Sequence, residues 1–306
     1  MPERHDRLTR RRLLAAGGGG AVLAAFGIVE LVHSGALPGK GLLDRLDGSC
    51  SVAAPAETFE VTGPTVTGSF FSRARQRTVA YTLAYPPNHR PGSRLPLVLY
   101  LYGDGGDQTS TLGGITPAHA LAGRVHSGAL PPMAIGVADG GGSLYWNAHR
   151  GDDPMRMLTD EFIPLCRRNH LGSGPHSIGA LGISMGGYGA LLLAERHPNL
   201  ISAVAAISPA IWTTYDQARA VNREAFTGAA AFADNDVITH ASQLSRLPVR
   251  IASGAEDPFH PGVVALAKHL PNTAELELTK GCHDDAFFAQ QQLPSLQFLG
   301  RHLAGA

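Results

Sequence analysis

Leu181-Gly182-Ile183-Ser184-Met185-Gly186-Gly187-Tyr188-Gly189 follows the apolar run Ser177-Ile178-Gly179-Ala180 and leads into Ala190-Leu191-Leu192-Leu193-Ala194. An apolar run, a glycine-rich turn and a run of helix formers read as strand, sharp turn and helix. Gly182 and Gly186 bracket Ser184 in G-x-S-x-G spacing, which seats the serine at a strained corner with positive φ. The glycines stand where a Cβ would collide with neighbouring backbone. Such a corner lifts the hydroxyl above the carboxyl edge of a sheet, and the first amides of the helix face a developing negative charge. In a chain with 37 glycines the spacing alone arises by accident. The strand before it and the helix after it remove most accidental matches, and Ser184 is the candidate nucleophile.

Outward from this corner, Gly68–Phe71 and Thr78–Tyr85 read as antiparallel strands, the second ended by Pro86-Pro87. Leu97–Leu101 and Met133–Val137 are continuous apolar runs, as strands covered on both faces should be. Asp153–Asn169 reads as a helix that Pro164 would kink. Further strands are predicted over Ser177–Leu181, Ala203–Ile207, Val249–Ser253 and Ala274–Leu278, and helices over Val263–Leu270 and Phe287–Leu303. Strands alternating with helices predict an α/β fold of the α/β-hydrolase type, a mostly parallel central sheet with helices on both faces. Pro209 to Leu247 is too short for a large lid domain.

A chain of 306 residues that is 44% hydrophobic can bury one large core. With 25 basic and 25 acidic residues it has no nucleic-acid footprint. Cys50, Cys166 and Cys282 fit neither a disulfide framework nor zinc spacing and read as free or singly paired thiols.

Thr9-Arg10-Arg11-Arg12-Leu13-Leu14 places paired arginines before an apolar stretch to Val32, and so resembles a bacterial twin-arginine export signal. The other reading is a plain signal anchor, since arginines hold the cytoplasmic end of any membrane helix. The expected organisation is an export signal or membrane anchor over 1–34, a Gly/Pro/Ala-rich linker over 35–66 and a catalytic domain over 67–306. The protein is then exported to the cell envelope or secreted, touching the membrane through its N-terminal segment and staying anchored if that segment is not cleaved.

A serine hydroxyl needs a histidine to take its proton and an acid to hold that histidine's tautomer. The acid belongs in the loop after a late strand, where Gly254-Ala255-Glu256-Asp257-Pro258-Phe259 offers Asp257, with Glu256 the alternative one register away. The base belongs after the last strand, where His283 precedes the terminal helix; His260, beside the acid, competes. Backbone amides for the oxyanion are expected from Met185 and from the loop Tyr102-Gly103-Asp104-Gly105-Gly106-Asp107, at Asp104 or else Gly105. That loop lacks EF-hand and P-loop spacing, and no metal or cofactor is expected. Tyr145 and Trp146, after a sheet strand, either line a substrate site or cover the core edge; Trp212 is placed to roof the pocket.

Tyr102-Gly103-Asp104-Gly105-Gly106, the block Gly182 to Ala190, Ser208-Pro209-Ala210-Ile211-Trp212, Gly254 to Phe259 and Gly281-Cys282-His283-Asp284 occur in the order of the esterase D / antigen 85 superfamily. The chain most resembles its exported actinobacterial esterases, roughly from Phe70 to Leu303. The resemblance implies a cofactor-free carboxylic-ester hydrolase with Ser184, Asp257 and His283 as triad, working through an acyl-enzyme on a small-molecule or lipid ester. Acyl transfer to a sugar hydroxyl, as in mycolyltransferases, is the alternative, and a non-enzymatic surface-binding protein on the same scaffold a weaker one. Two positions depart from the pattern: Tyr102 stands where many hydrolases carry His, and Asp104 where antigen 85 proteins carry an apolar residue.

Overall fold

The computed structural model describes residues 62–110 and 117–303. The export segment expected over 1–34, and the linker up to residue 61, lie outside the described residues. An eight-stranded sheet has the order β1-β2-β4-β3-β5-β6-β7-β8. Its strands are β1 (Thr65–Ser72), β2 (Arg77–Ala84), β3 (Leu97–Leu101), β4 (Ala134–Ala138), β5 (Ile178–Ile183), β6 (Ala203–Ile207), β7 (Val249–Gly254) and β8 (Glu275–Thr279). β1 and β2 are antiparallel to each other, β2 is antiparallel to β4, and every later pairing is parallel. This is the mostly parallel α/β-hydrolase sheet that the strand and helix alternation predicts.

Every residue of β3, β4, β5, β6 and β7 is buried, because helices cover both faces there. At the edge, Leu276 and Leu278 of β8 are exposed. The helices are α1 (Pro117–His126), α2 (Pro154–Met157), α3 (Ile163–Arg168), α4 (Met185–Arg196), α5 (Tyr215–Val221), α6 (Ala229–Asp234), α7 (His260–Ala267) and α8 (Asp285–His302). The single kinked helix expected over Asp153–Asn169 is instead two pieces, α2 and α3, joined by a π turn over Leu158–Phe162. Pro164 falls in the first turn of α3, where its missing amide removes no helical bond, and the widened turn ahead of it absorbs the offset. α1, α5 and α6 were not legible in the sequence, being short and lacking an extended apolar period.

Parallel pairing aligns the carboxyl ends of the strands. Leu101 stands beside Gly182, Ile183 beside Ile207, and Gly254 beside Thr279. The loops after β3, β5, β7 and β8 therefore leave the same edge, and they carry Asp104, Ser184, Asp257 and His283.

Candidate active site

Ser184 has φ 56° and ψ −121°, the strained corner expected between β5 and α4. Surrounding backbone over-determines it: the Ser184 amide donates to Ile207 O at 2.9 Å, and Ser184 O accepts from Ala210 N at 3.0 Å and Tyr188 N at 3.1 Å. A Cβ on Gly182 would lie 2.0 Å from Gly186 O, and one on Gly186 would lie 1.9 Å from Leu101 O. Both positions therefore exclude any side chain.

Ser184 Oγ lies 2.8 Å from His283 Nε2, and His283 Nδ1 lies 2.8 Å from Asp257 Oδ2. With Nδ1–H donating to the carboxylate, Nε2 faces the hydroxyl as an acceptor. The Asp257 side chain is fully buried and its other oxygen accepts the Phe259 amide at 2.8 Å. His283 sits between two rings, Phe259 and Phe288, each with its centroid 5.0 Å away, which fixes the imidazole plane. His260 instead bonds Ser253 Oγ at 3.2 Å, and Glu256 accepts the Gly281 amide at 2.8 Å, so neither competitor reaches the serine.

The Met185 and Asp104 amides have no protein acceptor among the described residues. The glycine loop runs close to the nucleophile, since a Cβ on Gly103 would lie 3.4 Å from Ser184 Cβ. Tyr102, the departure from the histidine pattern, braces that loop. Its hydroxyl donates to Asp139 Oδ1 at 2.8 Å and accepts from the Gly140 amide at 2.6 Å and the Gly141 amide at 3.1 Å. Burial, with the Asp139 carboxylate adding to it, holds the phenol far above its ordinary range, so it stays a neutral donor.

A cleft of about 750 Å³ opens over Ser184 and His283. Tyr100, Ile183, Ala286 and Phe288 form its apolar side, while Asp104 and Asp285 are exposed at its polar side. A groove of about 660 Å³ between β1 and the α2–α3 segment contains no serine or histidine and lies apart from this chemistry. Among the described residues no three His, Cys, Asp or Glu side chains converge as a metal site.

The aromatic expectations divide. Trp146 is 1% exposed, its ring 5.1 Å from Tyr102 and packed over Gly140 and Gly189, so it covers the core edge and is not a cleft residue. Tyr145 is buried as well, its ring tilted against those of Tyr188, Phe226 and Trp212. Both side chains turn inward because Tyr145 and Trp146 adopt positive φ, at 50° and 55°. Trp212 is half-buried and meets Phe259 edge-on at 4.7 Å, standing behind the ring that contacts His283. Sequence reasoning missed Phe288 and the bracing roles of Tyr102 and Glu256. Phe288 is in principle legible, one turn into the helix that follows the histidine. Cys166 is a free, buried thiol, whereas Cys282 is disulfide-bonded.

The Esterase family model matches residues 72–280, more than half of the chain; the match contains Ser184 and Asp257 and ends just before His283. Among solved structures the backbone is similar to a ferulic acid esterase at TM-score 0.69 and 18% identity, covering 78% of this chain and 99% of that one. An S-formylglutathione hydrolase from Agrobacterium tumefaciens superposes at TM-score 0.65 and 16% identity, over 83% and 100% of the two chains. A ferulic acid esterase from the anaerobic fungus Anaeromyces mucronatus does so at 0.62 and 16%, over 82% and 97%. At these identities the likeness is one of fold. No curated protein matches the chain in sequence.

Proposed function

The chain belongs to the Esterase family, and from that premise we propose that it hydrolyses carboxylic esters through Ser184, His283 and Asp257. His283 Nε2 takes the Ser184 proton as Oγ attacks the ester carbonyl, and the amides of Met185 and Asp104 receive the oxyanion. The same imidazole then protonates the departing alcohol, leaving an acyl-enzyme. A water molecule, deprotonated by His283, repeats the sequence and releases the acid. What carries this reading is the unbroken hydrogen-bond chain from Ser184 Oγ through His283 to the buried Asp257, 2.8 Å at each link.

Phe259 and Phe288 around His283, with the apolar side of the cleft, favour a short or aromatic acyl group, in keeping with the ferulic acid esterases among the structural neighbours. Transfer of the acyl group to a sugar hydroxyl would use the same three side chains. The exposed Asp104 and Asp285 leave the cleft open to water, which favours hydrolysis. Export is supported by the arginine pair before the apolar N-terminal run and by the disulfide at Cys282, since such bonds persist in oxidising compartments.

The test is turnover of p-nitrophenyl acetate, butyrate and ferulate with and without a sugar acceptor. The proposal expects release of free acid in every case. Acyl-sugar as the main product would move the assignment to transfer.

A further inference from the structure

Where the ring series from Phe259 through Trp212 and Tyr145 ends at Phe226 lies a further pocket of about 780 Å³, rimmed by Arg150, Arg219 and Arg223 with His149. None of the three guanidinium groups has an ion pair or hydrogen bond among the described residues. Glu224 is the one carboxylate lining the pocket, so the rim is strongly cationic on a chain of zero net charge. Three guanidinium groups against one carboxylate leave an excess of positive charge, and a bound anion relieves their mutual repulsion.

The pocket is braced from both sides. Arg150, at φ 26°, and Gly151, at φ 86°, form a two-residue turn closed by the His149–Asp152 bridge. Asp152 is gripped by Arg75 at 2.6 Å, whose side chain is fully buried, and by Arg77 at 2.9 Å. Arg219 and Arg223 flank the C-terminal end of α5, where Asn222 Nδ2 donates to Ser143 O at 3.1 Å. Nearby, Asn147 Nδ2 donates to Ala225 O at 2.9 Å. These bonds tie the segments on the two sides of the pocket together, so the backbone that carries the arginines is set before any ligand arrives. Tyr215 and Phe226 give the pocket an aromatic side, the kind of surface on which a sugar ring packs.

We propose that this pocket binds a saccharide bearing a compact oxyanion, with the arginines on the oxyanion and Tyr215 against the sugar face. A phosphorylated sugar and a uronate share that chemistry. The proposal requires neither Ser184 nor His283, so its failure leaves the esterase reading untouched, and loss of that reading leaves the pocket untouched.

Calorimetric titration of the full chain with glucose 6-phosphate, glucuronate, glucose and inorganic phosphate at low salt tests it. Expected are a Kd of about 1 mM or tighter for at least one anionic sugar, none measurable for glucose, and a steep loss of affinity at about 500 mM sodium chloride. Binding of glucose 6-phosphate alone assigns a phosphorylated sugar, and of glucuronate alone a uronate. The double variant Arg219→Gln/Arg223→Gln should weaken binding about ten-fold or more at an unchanged unfolding midpoint. If that variant does not fold, Arg150→Gln, on the opposite wall, provides the same readout. Absence of binding by both anionic sugars, inorganic phosphate binding as tightly as either, or variants that bind like the parent would each overturn the proposal.

Discussion

Glu256 Oε2 accepts the Gly281 amide at 2.8 Å, and the Glu256 amide returns a bond to the Gly281 carbonyl at 3.0 Å. This reciprocal pair joins the loop after β7 to the loop after β8, one residue from Asp257 and two from His283. Backbone as well as side chains therefore sets the separation of acid and base. Glu256→Gln keeps an acceptor for Gly281 and should cost little in kcat. Glu256→Ala should cost about ten- to a hundred-fold by loosening the pair, while Asp257→Asn should cost roughly ten-thousand-fold by favouring the wrong imidazole tautomer. Steady-state turnover of p-nitrophenyl acetate measures all three. A Gln variant weaker than the Asn variant would transfer the acid's role to Glu256.

Tyr102→Phe removes one hydroxyl from three groups. The Gly141 amide keeps Asp139 as an acceptor at 2.9 Å, but the Gly140 amide loses the only acceptor described for it. Leaving a buried donor unmet should destabilise the fold by about 1–3 kcal/mol. Urea unfolding checks this, and a variant as stable as the parent would mean that the brace contributes nothing.

Glu195 lies in α4, 4% exposed, with neither carboxyl oxygen hydrogen-bonded and His240 Nδ1 4.0 Å away. Burial pushes its pKa up to about 8, against an ordinary 4.5. Between those values the folded protein binds more protons than the unfolded chain. The contribution of Glu195 to stability is therefore full below about pH 4.5 and declines as pH rises toward 8, by at most about 1.4 kcal/mol per pH unit. Glu195→Gln should flatten that decline in urea titrations at pH 5 and pH 8. An equal decline in both proteins would place its origin elsewhere.

Most of the sheet and the whole serine corner were legible, because each central strand is a continuous apolar run and the glycines at 182 and 186 have no sterically tolerable replacement. The positions of Asp257 and His283 followed from strand order, since parallel pairing brings successive loops to one edge. Side-chain direction was left open. Tyr145 and Trp146, following a strand, could line the site or cover the core edge, and two consecutive positive φ values, which no spacing rule signals in non-glycine residues, turn them into the core. The braces at Tyr102 and Glu256 were also hidden, because their partners lie 38 and 25 residues away in sequence.

Replacing Arg10 and Arg11 with Lys preserves charge but removes the pair that the twin-arginine route reads, so precursor should accumulate inside the cell. Fractionation followed by immunoblotting gives the answer. Undiminished arrival in the envelope would favour the general secretory route or a plain anchor.

The most direct test of the Ser184 assignment is covalent labelling with a fluorophosphonate after exhaustive EDTA treatment, with the site read by peptide mass spectrometry. One label per chain on Ser184 is predicted, with turnover lost in proportion. Ser184→Ala and His283→Ala should each lose turnover on the order of a million-fold and leave the circular dichroism unchanged. Label on another residue, or ester turnover surviving full modification of Ser184, would contradict the account.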